Sequence, residues 1–321
     1  MAKCLLLEKP PRAGPNEGKS PLRVITLDVD NRTAQWPRGF VAEALVVVTP
    51  GGKTMLIDAA WPSGFSLPRG RPVSQAAPNW NETYGTNRVL PFLKAQGIDS
   101  IDWIVASHPH WDHIGGLPEI ILSEEVSVAN VLWSPLPDEM ILKTEGDNAP
   151  FYVQMSHDVV AACARRGVPL VGVSQGERLD LGDGGVCDVL AAAEPDVEVF
   201  SYVNNNSIVM RLAYGDFSMM FTGDAGFVEE DRIMALGQDL STDVLNIGHH
   251  AGANSTSEAW VEALGARVGV ASMPRWLSED PRGERVYELL KPTGMRIYRT
   301  WEHGHVEVQS DGKRYWVFTQ R

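Results

Sequence analysis

The chain has 321 residues, of which 44% are hydrophobic, and its formal net charge at pH 7 is −13. This length and composition fit one large globular domain or two modest ones with a substantial buried core. The acidity argues against a nonspecific nucleic-acid binder, because such proteins need a basic surface to displace phosphate counterions. It does not rule out a nuclease, since bound metal ions reverse the sign of the local field.

The N-terminal segment, residues 1–20, contains several Pro, Gly and Lys residues. We expect it to form a mobile leader before a single domain over residues 21–321. Its apolar run at residues 4–7 is too short for a secretory signal or a membrane span. We therefore expect a cytoplasmic protein without stable membrane association, or a secreted one if a signal peptide was removed before residue 1. The three cysteines are Cys4, Cys163 and Cys187. They are too widely spaced to suggest a disulfide framework or a Cys-based zinc motif.

Strands are predicted first along the domain. β-Branched and apolar runs predict strands at residues 23–29, 44–48 and 54–58. A polar, Pro-rich stretch from Trp61 to Tyr84 predicts a long loop, which fits a lid, a binding loop or an insertion. Helical spacing predicts a helix over residues 87–96, and residues 103–107 form a short apolar run that is typical of a buried strand.

The rest of the chain alternates helices with strands. Helices are predicted at residues 151–166, 227–235, 256–264 and 285–290. Strands are predicted at residues 169–173, 187–191, 207–212, 217–222, 268–271, 296–299, 306–308 and 315–318. Two blocks of strands, each interleaved with helices, predict an α/β protein folded as an αββα sandwich.

The most informative segment is His-Pro-His-Trp-Asp-His at residues 108–113, which directly follows the strand predicted at residues 103–107. Residues two apart point the same way in an extended or turning segment, so His108 and His110 can hold one ion. Asp112 and His113 then turn toward a second ion beside it. Imidazole combined with carboxylate suits zinc, and also manganese or iron.

Two later strand ends carry further candidate ligands. Asp224 follows an apolar run at residues 219–222, where its carboxylate could bridge two ions. Another apolar run, at residues 244–248, leads into His249 and His250. Adjacent histidines do not easily face one ion, so we expect His250 to be a ligand and His249 to be a catalytic or substrate-contacting group.

These three segments together resemble the metallo-β-lactamase superfamily, and within it the ComEC-type competence hydrolase domain and its stand-alone relatives. The resemblance runs from about residue 22 to residue 310, and the His cluster is its most specific part. It implies an αββα sandwich of the metallo-β-lactamase type, two divalent metal ions, and hydrolysis of a phosphodiester or similar ester. The implied metal ligands are His108, His110, Asp112, His113, Asp224 and His250, with Asp112 also orienting the attacking hydroxide.

This chain also departs from the patterns that it resembles. Asn204, Asn205 and Ser207 occupy the segment where many superfamily members place another metal-binding His, an absence shared with the ComEC-type branch. Residues 28–32 and 278–283 replace two segments that flank the active site in that branch. The substrate preference of the branch is therefore not directly inherited.

Substrate contacts are expected from residues near these segments. Trp111 lies inside the ligand cluster and is the best candidate for the pocket wall. Asn205 and Ser207 lie in the segment that lacks the His. Arg275 and Arg282 could bind an anionic group through paired N–H donors, with a solvated surface position as the competing interpretation.

Other aromatic side chains and histidines are weaker candidates. Trp80, Tyr84 and Trp276 could also wall the pocket, although ordinary packing is the competing interpretation for each of them. His303 and His305 alternate along the chain, so both can face one side and supply an extra metal ligand or a proton donor. A solvated turn is the competing interpretation of these two residues.

The expected function is that of a dinuclear metal-dependent hydrolase, in which a hydroxide bridging two ions attacks phosphorus or a carbonyl carbon. The first substrate class is a phosphodiester, in a small molecule or a nucleic-acid fragment. The alternative is a lactone, β-lactam or other carbonyl ester, and a further alternative is a metal-containing binding protein without turnover. We expect zinc, with manganese or iron as alternatives. The oligomeric state is left open.

Overall fold

The computed structural model describes residues 5–7, 20–29, 41–62, 65–66, 77–78 and 86–321. The long loop predicted between Trp61 and Tyr84 therefore lies largely outside the described residues, as do Trp80 and Tyr84 themselves. Among the helices that are described, none is long and apolar enough to cross a membrane.

Short apolar and β-branched runs form the strands, as their preference for a pleated, buried surface predicts. In chain order the described strands are β1 (Leu5–Leu7), β2 (Leu22–Thr26), β3 (Leu45–Val48), β4 (Thr54–Ile57), β5 (Phe65–Ser66), β6 (Ala77–Pro78), β7 (Ser100–Ile101), β8 (Trp103–Ala106), β9 (Ser127–Val128), β10 (Val131–Trp133), β11 (Leu170–Gly172), β12 (Arg178–Gly182), β13 (Gly185–Ala191), β14 (Val209–Tyr214), β15 (Phe217–Phe221), β16 (Val244–Asn246), β17 (Val268–Ala271), β18 (Arg296–Arg299), β19 (Val306–Ser310) and β20 (Arg314–Thr319).

Some of the described helices begin or end at residues that suit helix termini. Ser257 caps the helix that follows it by accepting the N–H of Trp260, and Gly167 ends the longest helix in a left-handed conformation. The described helices are α1 (Thr86–Ala95), α2 (Trp111–Ile114), α3 (Leu117–Leu122), α4 (Asp138–Thr144), α5 (Ala149–Arg166), α6 (Phe227–Ala235), α7 (Glu258–Leu264), α8 (Arg275–Ser278), α9 (Pro281–Leu290) and α10 (Thr300–His303).

Two large mixed sheets pack face to face. The first has the strand order β1-β20-β19-β2-β3-β4-β8-β10-β11, and the second has the order β12-β13-β14-β15-β16-β17-β18. Val24 and Val47 of the first sheet share a buried cluster with Leu212 and Met219 of the second. Side chains alternate along each strand, so their neighbours in sequence point to the outer faces. The main core therefore lies between the two sheets.

Helices cover both outer faces of this pair of sheets. Ile25 of β2 shares a second buried cluster with Val159 of α5, and Met220 of β15 shares a third with Trp260 of α7. The layers are thus helix, sheet, sheet and helix. This arrangement confirms the αββα sandwich expected from the sequence.

Parallel strands bring the chemically interesting loops to one edge of the sandwich. β4 is parallel to β8 in the first sheet, and β15, β16 and β17 are parallel in the second. Asp58 follows β4, His108 lies just beyond β8, Asp224 lies beyond β15, and His249 lies beyond β16. Ligands of open α/β sheets bind beyond the carboxyl ends of the strands. The topology therefore collects these residues at one end of the molecule.

The structure differs from the sequence-based expectations at a few elements. Leu5–Leu7, within the expected mobile leader, form the edge strand β1, which pairs in parallel with β20. An apolar run can extend a sheet in this way because an edge strand offers unpaired N–H and C=O groups. The bounds of α6, β17 and β18 match the predicted ranges. β10 and α4, of three and seven residues, have no distinct signal in the sequence.

Candidate functional site

The predicted ligand cluster lies where β8 gives way to α2. His110 is extended (φ −85°, ψ 148°) and precedes the first turn of α2, which carries Asp112 and His113. Because the backbone changes from extended to helical after His110, the side chains of His108 and His110 point in a different direction from those of Asp112 and His113. The turn after α2 requires Gly115, because a Cβ atom there would lie 2.4 Å from Cδ of Pro62.

One group of donor atoms is formed by His108, His110 and Asp224. His108 Nε2 lies 3.1 Å from His110 Nδ1 and 3.6 Å from Asp224 Oδ2. Two ligands bound at zinc distances in a tetrahedral site are about 3.4 Å apart. His108 Nε2 is therefore close enough to each of these two atoms to share an ion with it, and the donor atoms of His108, His113 and Asp224 all lie within 4.8 Å of one another.

A second group of donor atoms lies beside the first. His113 Nε2 is 3.1 Å from both His250 Nε2 and Asp224 Oδ1. His250 Nε2 is also 3.6 Å from Asp112 Oδ2. The two oxygens of Asp224 thus face different groups, Oδ2 the first and Oδ1 the second. All six predicted ligands come together, and their role as ligands stays a prediction.

The hydrogen bonds of the ring nitrogens show that this donor set fits cations. His113 Nδ1 lies 2.8 Å from Asp58 Oδ2, and His250 Nδ1 lies 2.7 Å from the carbonyl oxygen of Ser272. Both oxygens can only accept, so each Nδ1 carries a hydrogen, and Nε2 is the nitrogen of each ring that can offer a lone pair to a metal ion. Two Nε2 lone pairs 3.1 Å apart would repel each other unless a proton or a metal cation lay near them. The arrangement therefore suits bound metal ions.

The electrostatics of the cluster agree with this conclusion. Burial alone lowers the pKa of His250, but Asp224 and Asp112 outweigh burial and raise it to about 9. Burial alone raises the pKa of Asp224, but the surrounding histidines hold it well below its ordinary value. Burial lowers the pKa of His108 to about 4. The carboxylates thus favour a positive charge at the centre of the cluster.

His249 and His250 adopt an unusual backbone conformation. Their φ angles are 50° and 51°, in the left-handed region that non-glycine residues rarely occupy. Such residues cluster at functional sites, where the surrounding structure holds them in place. His249 Nε2 lies 3.2 Å from Asn204 Nδ2 and 3.7 Å from Asp224 Oδ2. Burial lowers the pKa of His249, so its ring is neutral near pH 7.

Two buried acidic residues of the site were not predicted from the sequence. Asp58 holds His113 and also accepts the hydroxyl and backbone N–H of Ser107. Its position as an acid at a strand end, like that of Asp224, is a signal that could have identified it. Glu43 is buried beside His113, and burial raises its pKa to about 7. No local sequence pattern marks Glu43, because its neighbours come from distant parts of the chain.

A cavity of about 590 Å³ opens over the donor groups. Its wall includes His110, Asp112, Asp224, His249 and His250. Trp111 lines the cavity, as expected. Trp276 also lines it, although ordinary packing was the competing interpretation of this residue. Aromatic side chains form much of the remaining wall, and Arg282 adds one cationic side chain. The aromatic residues are Trp61, Trp111, Tyr152, Phe200 and Trp276. The cavity is therefore suited to a substrate with apolar or planar parts.

Two residues expected to contact substrate are engaged elsewhere. Asn205 is 1% exposed, and its Oδ1 accepts the backbone N–H groups of Gly226 and Glu229. Ser207 is fully buried, and its Oγ accepts the N–H of Asp224 while donating to the carbonyl oxygen of Asn204. The expected substrate role of Asn205 and Ser207 is therefore wrong. Their polar atoms instead hold the loop that carries Asp224.

Three further expectations also differ from the structure. Arg275 pairs with Glu279 on an exposed surface, with an Nε–Oε1 distance of 2.8 Å, and it is not part of the cavity wall. His303 Nδ1 contacts the backbone of Arg299, and His305 Nδ1 accepts the N–H of Asp28. Neither histidine lines the cavity or belongs to a described metal-binding group. Sequence alternation placed them on a common side but could not place that side relative to the metals.

Comparisons with known proteins support the resemblance. A profile of the metallo-beta-lactamase superfamily matches residues 38–273. ComE operon protein 3 of Bacillus subtilis (strain 168) is 26% identical over 264 residues, which are 80% of this chain and 32% of that protein. Competence protein ComA of Neisseria gonorrhoeae is 23% identical over 213 residues, which are 66% of this chain and 26% of that protein. The chain thus spans about a third or less of the length of these relatives.

Solved structures that match the chain include a diphosphatase of the PhnP family and unliganded yeast PDE1. The diphosphatase is 14% identical with a TM-score of 0.45, and the match covers 90% of this chain and 98% of that one. PDE1 is 10% identical with a TM-score of 0.44, and the match covers 87% of this chain and 98% of that one. The superfamily profile covers most of the chain and includes the donor cluster. The chain therefore belongs to the metallo-beta-lactamase superfamily, and its buried His and Asp side chains form the candidate metal centre.

Proposed function

We propose that this chain is a dinuclear hydrolase that acts on phosphodiesters. The observation that supports two ions is the position of Asp224, whose oxygens lie 3.6 Å from His108 Nε2 on one side and 3.1 Å from His113 Nε2 on the other. A carboxylate between two sets of histidines is suited to bridging a pair of cations. Zinc fits this mixture of imidazole and carboxylate, and manganese or iron are the alternatives.

Each ligand set has a defined composition under this proposal. His108, His110 and Asp224 would hold the first ion, while Asp112, His113, His250 and Asp224 would hold the second. When bound, the ions would lower the pKa of a water molecule and offset negative charge on the substrate. His249 is neutral and lines the cavity, so it is suited to contact the substrate.

The cavity also offers a group that suits an anionic ester. Arg282 lines it and carries a planar set of N–H donors that matches phosphate oxygens. The aromatic wall can accommodate planar parts of the substrate, whether it is a small molecule or a nucleic-acid fragment. One similar protein, Competence protein ComA, is named for competence, which fits a nucleic-acid fragment as one form of the substrate.

The test combines metal analysis with hydrolysis of bis(p-nitrophenyl) phosphate. We expect two ions per chain and turnover of the phosphodiester. Asp112→Ala removes a ligand of the second ion only, so this variant should keep one ion and lose on the order of 100-fold or more in kcat. Asp231→Ala, on the exposed face of α6, is the matched control and should behave like the wild type. One ion or none in the wild-type protein would overturn the dinuclear proposal and favour a binding protein without turnover.

A carbonyl ester is the second candidate substrate, and one observation favours it. Arg282 already pairs with Asp280 through two contacts, Nε–Oδ1 at 2.7 Å and Nη2–Oδ2 at 3.0 Å. This pairing offsets its charge and leaves a mainly aromatic wall, which suits a neutral lactone or β-lactam. Turnover of a chromogenic lactone or β-lactam without turnover of the phosphodiester, in a protein with two ions, would replace the first candidate by the second.

A further inference from the structure

The orientation of the His110 ring determines which nitrogen can face the first ion. His110 Nδ1 lies 3.1 Å from His108 Nε2, and His108 Nδ1 lies 3.0 Å from Ser107 Oγ. Ser107 Oγ donates its own hydrogen to Asp58 Oδ2, so it can accept the Nδ1–H of His108. His108 Nε2 is thereby left with a lone pair for the ion. Because His110 Nδ1 lies beside it, Nδ1 is the nitrogen of His110 that would face the first ion.

This orientation creates a requirement on the other side of the ring. A neutral imidazole carries one N–H, so a metal-facing Nδ1 places the hydrogen on Nε2. His110 Nε2 is buried and makes no hydrogen bond. Glu145 Oε2 lies 3.9 Å from it, which is about 1 Å beyond hydrogen-bond distance. A small rotation of either side chain would close this gap.

Glu145 is already held in a position to accept this hydrogen. Its Oε1 accepts the backbone N–H of Val203 at 3.0 Å, so Oε2 is left to face His110. The side chains of Glu145 and His110 are only 14% and 12% exposed, so water offers little competition for the contact. Glu145 therefore presents a carboxylate oxygen as an acceptor to Nε2 of His110.

We propose that Glu145 is a positioning residue of the metal centre, which accepts the Nε2–H of His110 and holds the tautomer in which Nδ1 faces the first ion. This inference rests on the proposed function. Ser107, Asp58 and the carbonyl oxygen of Ser272 already serve the other three histidines in the same way. Histidine ligands usually donate their second N–H to such a partner, and its loss typically lowers metal affinity 10–100-fold.

The tested variant is Glu145→Gln, which keeps the size of the side chain and an oxygen for Val203. Its NH₂ group then faces His110 Nε2, which favours a lone pair on Nε2 and a hydrogen on Nδ1. We expect the dissociation constant of one ion to rise about 10–100-fold, while that of the other changes less than about threefold. Glu139→Gln, an exposed carboxylate on α4, is the matched control and should leave both constants unchanged.

The measurements are competition of the protein with a chromogenic chelator for zinc, and ¹H–¹⁵N correlation spectra of the histidine rings in the zinc-loaded wild type. The spectra should show a hydrogen on Nε2 of His110, and they need no variant that might misfold to decide this point. A hydrogen on Nδ1, or unchanged affinities in Glu145→Gln, would overturn the role of Glu145. Wild-type protein that binds two ions without hydrolysing the phosphodiester contradicts the proposed substrate alone, whereas wild-type protein that binds no ion overturns both proposals.

Discussion

Nδ1 of His113 lies 2.8 Å from Oδ2 of Asp58, and neither side chain is exposed to solvent. The same carboxylate accepts the hydroxyl of Ser107 at 2.6 Å and its backbone N–H at 2.9 Å. Asp58 thus connects the ring of a predicted ligand to the end of β8, although it binds no ion in the proposed scheme. It does so from a left-handed backbone with a φ of 56°. Such a conformation persists only where its surroundings hold it.

Replacing Asp58 by Asn tests this connection. The amide can present NH₂ to His113 Nδ1, which would move the hydrogen of the ring to the metal-facing Nε2. We expect the affinity for the ion held by His113 to fall about 10–100-fold. The measurement is competition with a chromogenic chelator. Asp188→Asn, which breaks a surface pair with Arg178, is the control, and equal affinities in the two variants would contradict the prediction.

The stability of the metal-free protein should depend on pH through Glu43. Burial raises its pKa from 4.5 to about 7, despite the opposing effect of His113 and His250, while Asp58 and Asp224 add to the increase. Between these values the folded protein holds a proton that the unfolded chain has lost. The contribution is therefore full below pH 4.5 and is lost as pH rises toward 7, a change of about 3 kcal/mol.

Glu43→Gln removes this titration and keeps an oxygen to accept a hydrogen bond from the side-chain Nδ2 of Asn246. We expect the difference in the free energy of unfolding between wild type and Glu43→Gln to shift in favour of the variant as pH rises from 5 to 7.5. Denaturant titrations of metal-free protein at several pH values provide the measurement. Parallel pH profiles for the two proteins would show that Glu43 does not titrate in this range.

Asn205 should affect stability rather than substrate binding. Its Oδ1 accepts N–H groups of Gly226 and Glu229 at 3.0 and 3.2 Å, and Nδ2 donates to the carbonyl oxygen of Phe200 at 2.7 Å. Asn205→Ala leaves these buried groups unpaired, so we expect the free energy of unfolding to fall by about 2–3 kcal/mol. KM for the phosphodiester should stay the same. A raised KM with unchanged stability would restore the substrate role that the structure contradicts.

Asp280→Asn tests whether Arg282 contacts an anionic substrate. Asp280 caps α9 by accepting the N–H of Arg282, and Asn is an equally good capping residue. The substitution removes the charge that now pairs with the guanidinium. We expect KM for bis(p-nitrophenyl) phosphate to fall about threefold to tenfold, because Arg282 becomes free to bind phosphate oxygens. Unchanged thermal stability is the control, and an unchanged KM would place Arg282 outside the substrate contacts.

The donor cluster could be predicted because its geometry is mainly local. His108, His110, Asp112 and His113 lie within six consecutive positions after a buried strand, so the strand end alone brings them together. Asp224 and His250 were predictable for a related reason, since each follows an apolar strand whose carboxyl end must meet the same sheet edge. The resemblance to a known family then indicated which strand ends belong to one site.

Local sequence could not predict which polar side chains face each other across the fold. Glu43 lies 203 positions from its partner Asn246, and Glu145 lies 58 positions from Val203. Asn205 and Ser207 were expected to face the substrate, but the packing of α6 against their loop directs their polar atoms inward. These contacts depend on the crossing of distant elements, and no repeating pattern along the chain encodes them.

The sequence by itself thus determined the layered α/β fold and the identity of the predicted ligands, because hydrophobic periodicity and strand-end spacing act over short stretches of chain. Only the tertiary structure decided that Asp224 lies between the two donor groups and that Asp58 supports His113. It also decided that His303 and His305 lie outside the cavity. The physical reason is that a side chain's partners are set by the packing of whole sheets and helices, which joins residues hundreds of positions apart.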